Sequence, residues 1–315
     1  MSCAEATMSH YYTNGSRKNV LSHLRQLSIF CVAFKVCFLP VERDALLGFV
    51  EIMSRSCGFD HIQHVLASIK FLHQYTGFHY PGESFEFDIL MRGIKRKLAR
   101  PVKQALPISP EMLILMYRFV DINNPCELAH WTSFIFALRL LYRKSSIAPE
   151  SFHKFDAKID LSREKIVVAD GVVLVYQSYS KTNQFMSSTR ITPLTPSSVL
   201  ALDPVFHYVK LCSENSVSAH LPAFSYVIED DIYCVTRKSF TMYLKNLLVK
   251  IGVNPDDWTG HSFRRGGATL LFRLGIDPLT IQACGDWSSD SFLRYLELGF
   301  SKLWSAQQVM ASFTC

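Results

Sequence analysis

The stretch from Gly260 to Glu297, GHSFRRGGATLLFRLGIDPLTIQACGDWSSDSFLRYLE, constrains the fold more than any other part of the chain. Its first half reads as a helix with His261 and Arg264 three apart, a spacing that sets both side chains on one face. Gly285 and Asp286 break the pattern, and Ser288 or Ser289 can cap a second helix carrying Trp287 and Tyr295 by accepting from its free backbone N–H groups. Tyr295 then stands about two turns in, able to face the first helix. An imidazole, a guanidinium, an indole N–H and a phenol are thus expected around one point. Donors arranged that way suit an anion whose charge grows during a reaction, and the planar fork of Arg matches phosphate best. The phenol reads as a nucleophile: its attack on a phosphodiester would break one strand and leave it joined to the protein.

Composition sets the frame for that chemistry. A chain of 315 residues can hold two domains with separate cores. The excess of 33 Lys+Arg over 27 Asp+Glu, a formal +6, permits a polyanionic partner. The longest apolar stretch, Leu27 to Pro40, is interrupted by Lys35 and falls short of the ~20 residues of a membrane span, so a core helix is expected there and no membrane partner. No charged segment followed by an apolar run opens the chain, so no secretory signal is expected. The 9 cysteines are scattered singly and form no C-x-x-C pair, which reads as buried thiols in a reducing, intracellular compartment. His61 and His64 stand at i, i+3 with no further ligands beside them, a surface pair and not a zinc site.

Taken in order, residues 1–16 are small and polar and read as a mobile tail. Residues 17–100 read as four helices divided by Pro40 and Pro81-Gly82. Their expected inward faces are Leu21, Leu24 and Leu27; Leu46, Leu47 and Val50; Ile62, Val65, Leu66, Ile69 and Leu72; and Phe87, Leu90, Met91, Ile94 and Leu98. The fourth helix ends in a cationic run, Arg92, Lys95, Arg96, Lys97, Arg100, then Lys103, unrelieved by any acid in the sequence. Such a run is commonly a solvated face. At a domain junction it also suits DNA-backbone contact, where each neutralised phosphate releases counterions, and a nuclear-import role is a third reading.

Residues 101–108 read as a linker and 109–315 as the second domain. Ser109-Pro110-Glu111 opens a helix with Ser as cap and Pro at the first position, and Pro125 opens a longer apolar one. Ile166-Val167-Val168, an Asp170-Gly171 turn and Val172 to Tyr176 form a hairpin, the one clear β signal, with Lys181 following in Ser180-Lys181-Thr182. Arg190 to Pro196 reads as an extended stretch leading to a helix at Asp203-Pro204, where His207 and Tyr208 serve packing or surface. Residues 219–233 read as loop-rich and 236–249 as an amphipathic helix. Around Ala137 to Pro149, Arg139 and Arg143 both qualify for an anion site, and either stem could instead cover apolar surface.

The run from Gly260 through His261-Ser262-Phe263-Arg264-Arg265-Gly266-Gly267-Ala268 to Thr269, followed by Gly285-Asp286-Trp287 and Tyr295, resembles the C-terminal signature of the tyrosine recombinases, the phage-integrase family. Its flavour resembles the eukaryotic branch found in crypton-type and DIRS-type mobile elements. Tyr295 stands eight residues after Trp287, one fewer than in most bacterial and phage members. Family members carry an active-site Arg followed by x-Ser-x-aliphatic, which selects Arg143 in Arg143-Lys144-Ser145-Ser146-Ile147 over Arg139, with Ser146 where Glu or Asn is usual. A family Lys on the hairpin protonates the departing oxygen, and Lys181 has its common Ser-Lys-Thr setting.

The resemblance implies a mainly α fold with a small β-sheet: a helical N-terminal core-binding domain, then a mixed α+β catalytic domain. It spans roughly Arg17 to Tyr295 and is specific only in the second domain. The activity it implies is DNA strand transfer in recombination, integration or transposition. Tyr295 forms a 3′-phosphotyrosyl link, Arg143 and Arg264 clamp the non-bridging oxygens, Trp287 donates to the same phosphate, His261 donates to it or helps move the nucleophile's proton, and Lys181 acts as general acid. No metal, nucleotide or other cofactor is needed. The implied partner is double-stranded DNA bound by a homo-oligomer, a dimer or tetramer, in the nucleus. The final apolar segment, with Leu303, Trp304, Val309, Met310 and Phe313, would dock on a neighbouring protomer or close its own core. Two alternatives stand beside this one: a DNA-binding or regulatory module derived from a mobile element with its chemistry unused, and a type IB topoisomerase-like enzyme that relaxes DNA as a monomer.

Overall fold

A computed structural model describes residues 14–99, 104–180, 183, 186–295, 307, 308 and 310. The chain divides into two compact units, with the break between Lys103 and Gln104. The expected tail, Arg100 with Lys103, Lys181, and the apolar residues Leu303, Trp304, Val309 and Phe313 lie outside the described residues, save that helix α1 already begins at Asn14.

The first unit is built from α1 (Asn14–Phe34), α2 (Arg43–Met53), α3 (Phe59–Thr76) and α4 (Phe85–Lys97). Its core gathers Leu27, Phe30, Leu46, Phe49, Val50, Ile62, Val65, Ile69, Phe87 and Ile94, the apolar stripes of four amphipathic helices. Leu24, Leu47, Leu90, Met91 and Leu98 pack around it half-buried. Ser84 caps α4 by accepting from the Phe87 N–H, and Gly77 ends α3 in the left-handed conformation. Two expectations fail here. Leu21 is exposed, and the stretch after Leu27 is not a core helix throughout: Ile29, Val32 and Phe34 face outward while Leu27, Phe30 and Cys31 are buried. A helix packed on one side buries one stripe, however apolar its other faces are. The His61–His64 pair also gains a neighbour, because His23 of α1 meets His61 edge to face.

The second unit is organised around α6 (Pro125–Arg139), which is buried on every side from Leu128 to Leu138. Asn124 caps it by accepting from the N–H groups of Cys126 and Glu127, with Pro125 at the first position. Around it stand α5 (Pro110–Tyr117), the short α7 (Lys144–Ile147), α8 (Pro204–Glu214), α9 (Arg237–Lys250), α10 (His261–Arg273) and α11 (Pro278–Gly285). Strands β1 (Ile166–Ala169), β2 (Val172–Gln177) and β3 (Arg190–Leu194) make an antiparallel sheet in that order. Asp170 and Gly171 both take positive φ in the β1–β2 turn, as a two-residue hairpin requires. The extended stretch expected after residue 190 is thus a third strand, with Val173 opposite Leu194 and Gln177 opposite Arg190.

Further differences from expectation have local causes. Residues expected as loop form a second hairpin, β4 (Ser225–Ile228) and β5 (Asp231–Cys234), turned at Glu229 and Asp230, both with positive φ and neither a Gly or Asn. Part of the expected linker belongs to the second unit, because Ile108 is fully buried and the N–H groups of Leu106 and Ile108 donate to the carbonyls of Asp257 and Ser262. Of the two roles expected for His207 and Tyr208, the structure shows packing: both are core residues.

Two glycines let α10 reach the centre. A Cβ on Gly267 would stand 2.4 Å from the Leu138 carbonyl oxygen, and one on Gly266 1.9 Å from that of Ile108. Backbone cannot retreat as a side chain can, so this approach of α10 to α6 admits only glycine. The Gly-Gly of the sequence is there to carry the helix that holds His261 and Arg264.

Candidate active site

Arg264 occupies the second turn of α10 and is 3% exposed. Its Nη1 donates to the Leu141 carbonyl at 2.6 Å, and its Cζ lies 3.8 Å from the centroid of the Trp287 ring. A guanidinium stripped of water and set over an indole is held by its charge against the ring's negative face. Trp287 is itself buried and packs on Phe292. It does not ride on a helix, which corrects the expectation of a second helix through Trp287 and Tyr295. Helix α11 ends at Gly285, Asp286 turns left-handed at φ 53° and ψ 52°, and a 3-10 turn spans Asp290–Tyr295. Gly285 is required by the ring, since a Cβ there would lie 1.6 Å from Cζ3 of Trp287.

Arg143 precedes α7 and lines, with Arg264, a small cleft whose other walls include Tyr142, Ser146, Ser180 and Asp286. Arg139 goes elsewhere, donating through Nη2 to the carbonyl and hydroxyl of Thr195. His261 is the first residue of α10 and exposed, three positions before Arg264. The preceding Gly260 comes so near Lys144 that a Cβ would sit 2.8 Å from that side chain, which sets the start of α10 beside the residue after Arg143. Tyr295 closes the 3-10 turn; its side chain, like Lys181, lies outside the described residues.

The sequence does not single out Tyr142, Ser180 or Asp286 as site residues. The Ser180 hydroxyl donates to Oδ2 of Asp286 at 2.7 Å, and Arg190 donates to the Cys284 carbonyl at 2.5 Å. These two bonds fasten the turn before Trp287 to both ends of the β2–β3 connection. Burial pushes the Tyr142 phenol above its ordinary pKa, so it stays protonated, a poor nucleophile and a donor. The neighbouring Lys144 ammonium is pulled down by burial and by Arg237, and it donates to Thr241.

In the first unit Arg92, Lys95, Arg96 and Lys97 are all exposed on α4. The run is not free of acids in three dimensions: Lys97 lies 3.5 Å from Glu51 of α2, and Lys95 sits over the Phe59 ring.

Chemically, the second unit offers two guanidiniums on one small pocket, one of them dehydrated, with the hydroxyl-bearing Tyr142, Ser146 and Ser180 and one carboxylate, Asp286, also lining it. That set suits a planar or tetrahedral oxyanion bound through its oxygens.

No family model matches the chain, and no curated protein matches it by sequence. Solved structures do resemble it. The Tn1549 transposon integrase in complex with transposon right-end DNA has a TM-score of 0.65 at 14% identity, over 98% of this chain and 98% of that one. The XerH site-specific recombinase bound to a palindromic difH substrate in a post-cleavage complex has 0.58 at 12%, over 87% and 73%. A lambda integrase dimer bound to a COC′ core site has 0.58 at 11%, over 93% and 92%. Mostly helical with a small antiparallel sheet, the chain therefore has the fold of the tyrosine recombinases, a likeness of structure and not of sequence.

Proposed function

We propose that the protein is a DNA strand transferase acting as a site-specific tyrosine recombinase, of the kind its sequence resembles in crypton-type and DIRS-type mobile elements. The observation that carries the reading is the convergence of Arg143 and Arg264 on one pocket, with Trp287 stacked on Arg264, in a chain whose solved structural neighbours are integrases and recombinases bound to DNA.

In this account the phosphodiester enters the pocket and its non-bridging oxygens meet the two guanidiniums, which stabilise the charge of the pentavalent transition state. The Tyr295 oxygen forms a bond to phosphorus and loses its proton, with His261 near the start of α10 as its acceptor or as a further donor to the phosphate. The bond from phosphorus to the 5′-oxygen breaks, and Lys181 delivers a proton to that oxygen. The 3′-phosphotyrosyl link keeps the energy of the broken bond, so a 5′-hydroxyl from another strand reverses the step without a metal or nucleotide. The exposed cations of α4 contact the DNA backbone, and exchange proceeds within a homo-oligomer on DNA.

A pooled set of nicked duplexes tests this, each losing a short 5′-hydroxyl fragment after cleavage. The expected result is a protein–DNA adduct that survives denaturation, with the trapped sequences reporting the target. DNA binding that weakens with salt and never yields an adduct would overturn the strand-transfer reading and leave a DNA-binding module.

A further inference from the structure

We propose that Asp286 and Ser180 are positioning residues that lock the β2–β3 connection onto the turn bearing Trp287, and so align the leaving-group side of the pocket. The inference rests on the strand-transfer reading of the same site.

Four observations converge on this pair. The bond from the Ser180 hydroxyl to Asp286 joins residues 106 positions apart, and Ser180 is 6% exposed. Arg190, at the other end of the same connection, holds the carbonyl of Cys284, so the turn is gripped twice. Asp286 takes a left-handed backbone, which Asp and Asn adopt more readily than other residues with a Cβ. Finally, its carboxylate lines the pocket shared by Arg143 and Arg264, where a negative charge works against an incoming phosphate. Affinity alone would be served better by Asn, which fits the same backbone and still accepts from a hydroxyl. The charge at Asp286 therefore acts on a step other than binding.

That step is departure of the 5′-oxygen. Ser180 immediately precedes Lys181 in the chain, and a charged acceptor holds the Ser180 hydroxyl more strongly than a neutral one. Fixing Ser180 fixes the backbone at the residue before the proposed proton donor. When the Tyr295 oxygen bonds to phosphorus, the departing oxygen must collect a proton. A sulfur in its place leaves as a thiolate and needs none, because a thiolate is far the weaker base.

The test compares the 315-residue parent with Asp286→Ala, Asp286→Asn, Ser180→Ala and the double Ala variant. Each is given a trapped duplex with oxygen or with sulfur at the scissile 5′ position. The expected result is that Asp286→Ala binds DNA as well as the parent or better, yet cleaves the oxygen substrate at least roughly tenfold more slowly, a part of what a general acid supplies. Sulfur should restore it to near the parent's rate on that substrate. Asp286→Asn should fall between, and the double variant should be no slower than either single one, as for two ends of one interaction. Equal losses on oxygen and sulfur would assign the pair a merely structural role, and unchanged cleavage would remove any role; either overturns the proposal. If the parent itself forms no adduct with either substrate, it is the strand-transfer reading that fails.

Discussion

Gly285→Ala is a one-methyl perturbation aimed at the site. The new Cβ would stand 1.6, 2.1 and 2.3 Å from Cζ3, Cε3 and Cη2 of Trp287. Carbon atoms rest about 3.5–4.0 Å apart, so the indole must retreat by roughly 2 Å. That displacement destroys the stack in which Arg264 Cζ lies 3.8 Å from the ring centroid. Overpacking of this kind costs about 1–3 kcal/mol, and a largely dehydrated cation–π contact contributes about 0.5–2 kcal/mol. Together they predict a loss of roughly 2–4 kcal/mol. At about 2–4 °C per kcal/mol for a unit of this size, the melting temperature should fall by roughly 5–15 °C. Near-UV circular dichroism reads both the melt and the altered indole environment. Trp287→Phe makes the experiment self-controlled, because the three crowded atoms belong to the outer ring that Phe lacks. Adding Gly285→Ala to that variant should cost at least roughly 1 kcal/mol less than adding it to the parent. A Gly285→Ala protein that melts within about 2 °C of the parent, with the same near-UV spectrum, would refute the packing argument.

The remaining predictions concern acid stability and DNA affinity. His207 is fully buried, its Nε2–H donates to the Leu200 carbonyl, and burial lowers its pKa to about 4. The unfolded chain binds that proton near pH 6.5 and the folded one does not, so His207 costs stability increasingly as pH falls from about 6.5 to about 4, by roughly 3 kcal/mol in full. His207→Gln should therefore melt closer to the parent at pH 4.5 than at pH 7.5, and a gap that does not narrow would contradict the assignment. For DNA, replacing Arg92, Lys95 and Arg96 by Gln should flatten the dependence of log affinity on log salt by about 0.9 for each phosphate that the variant no longer neutralises. Titration by fluorescence anisotropy at several salt concentrations reads this directly, and an unchanged slope would return the run to a solvated helix face.

How much of this is legible in the sequence depends on whether a local signal carries it. Ser109-Pro110, Pro125 and Asp203-Pro204 mark helix starts because cap and first-turn chemistry are properties of adjacent residues. Asp170-Gly171 marks its hairpin because both residues tolerate positive φ. The β4–β5 hairpin is invisible because its turn has no glycine: it turns at Glu229 and Asp230, and Glu has no preference for positive φ. The third strand does not read as one because its partner is supplied across a connection of twelve residues, 178 to 189, that no pattern spans. At the site, residue type and order point to Arg264 and Trp287, and the family resemblance selects Arg143 over Arg139. Their arrangement is set by features that only three dimensions show: the left-handed turn at Asp286, the missing Cβ of Gly285 and the stack on Arg264. Asp286 escapes notice because its partner, Ser180, is brought to it by the fold.

The central claim is that a phenol of this chain becomes covalently joined to a 3′-phosphate, and adduct mapping tests it most directly. The trapped complex, formed on a duplex labelled in the strand that ends at the break, is digested with nuclease and protease, and the modified peptide is sequenced by mass spectrometry. The account predicts a single phosphoryl-nucleotide on Tyr295, attached through the 3′ side, and no adduct from Tyr295→Phe although that variant still binds DNA. An adduct on another residue, linkage through the 5′ side, or an adduct that persists in Tyr295→Phe would contradict it.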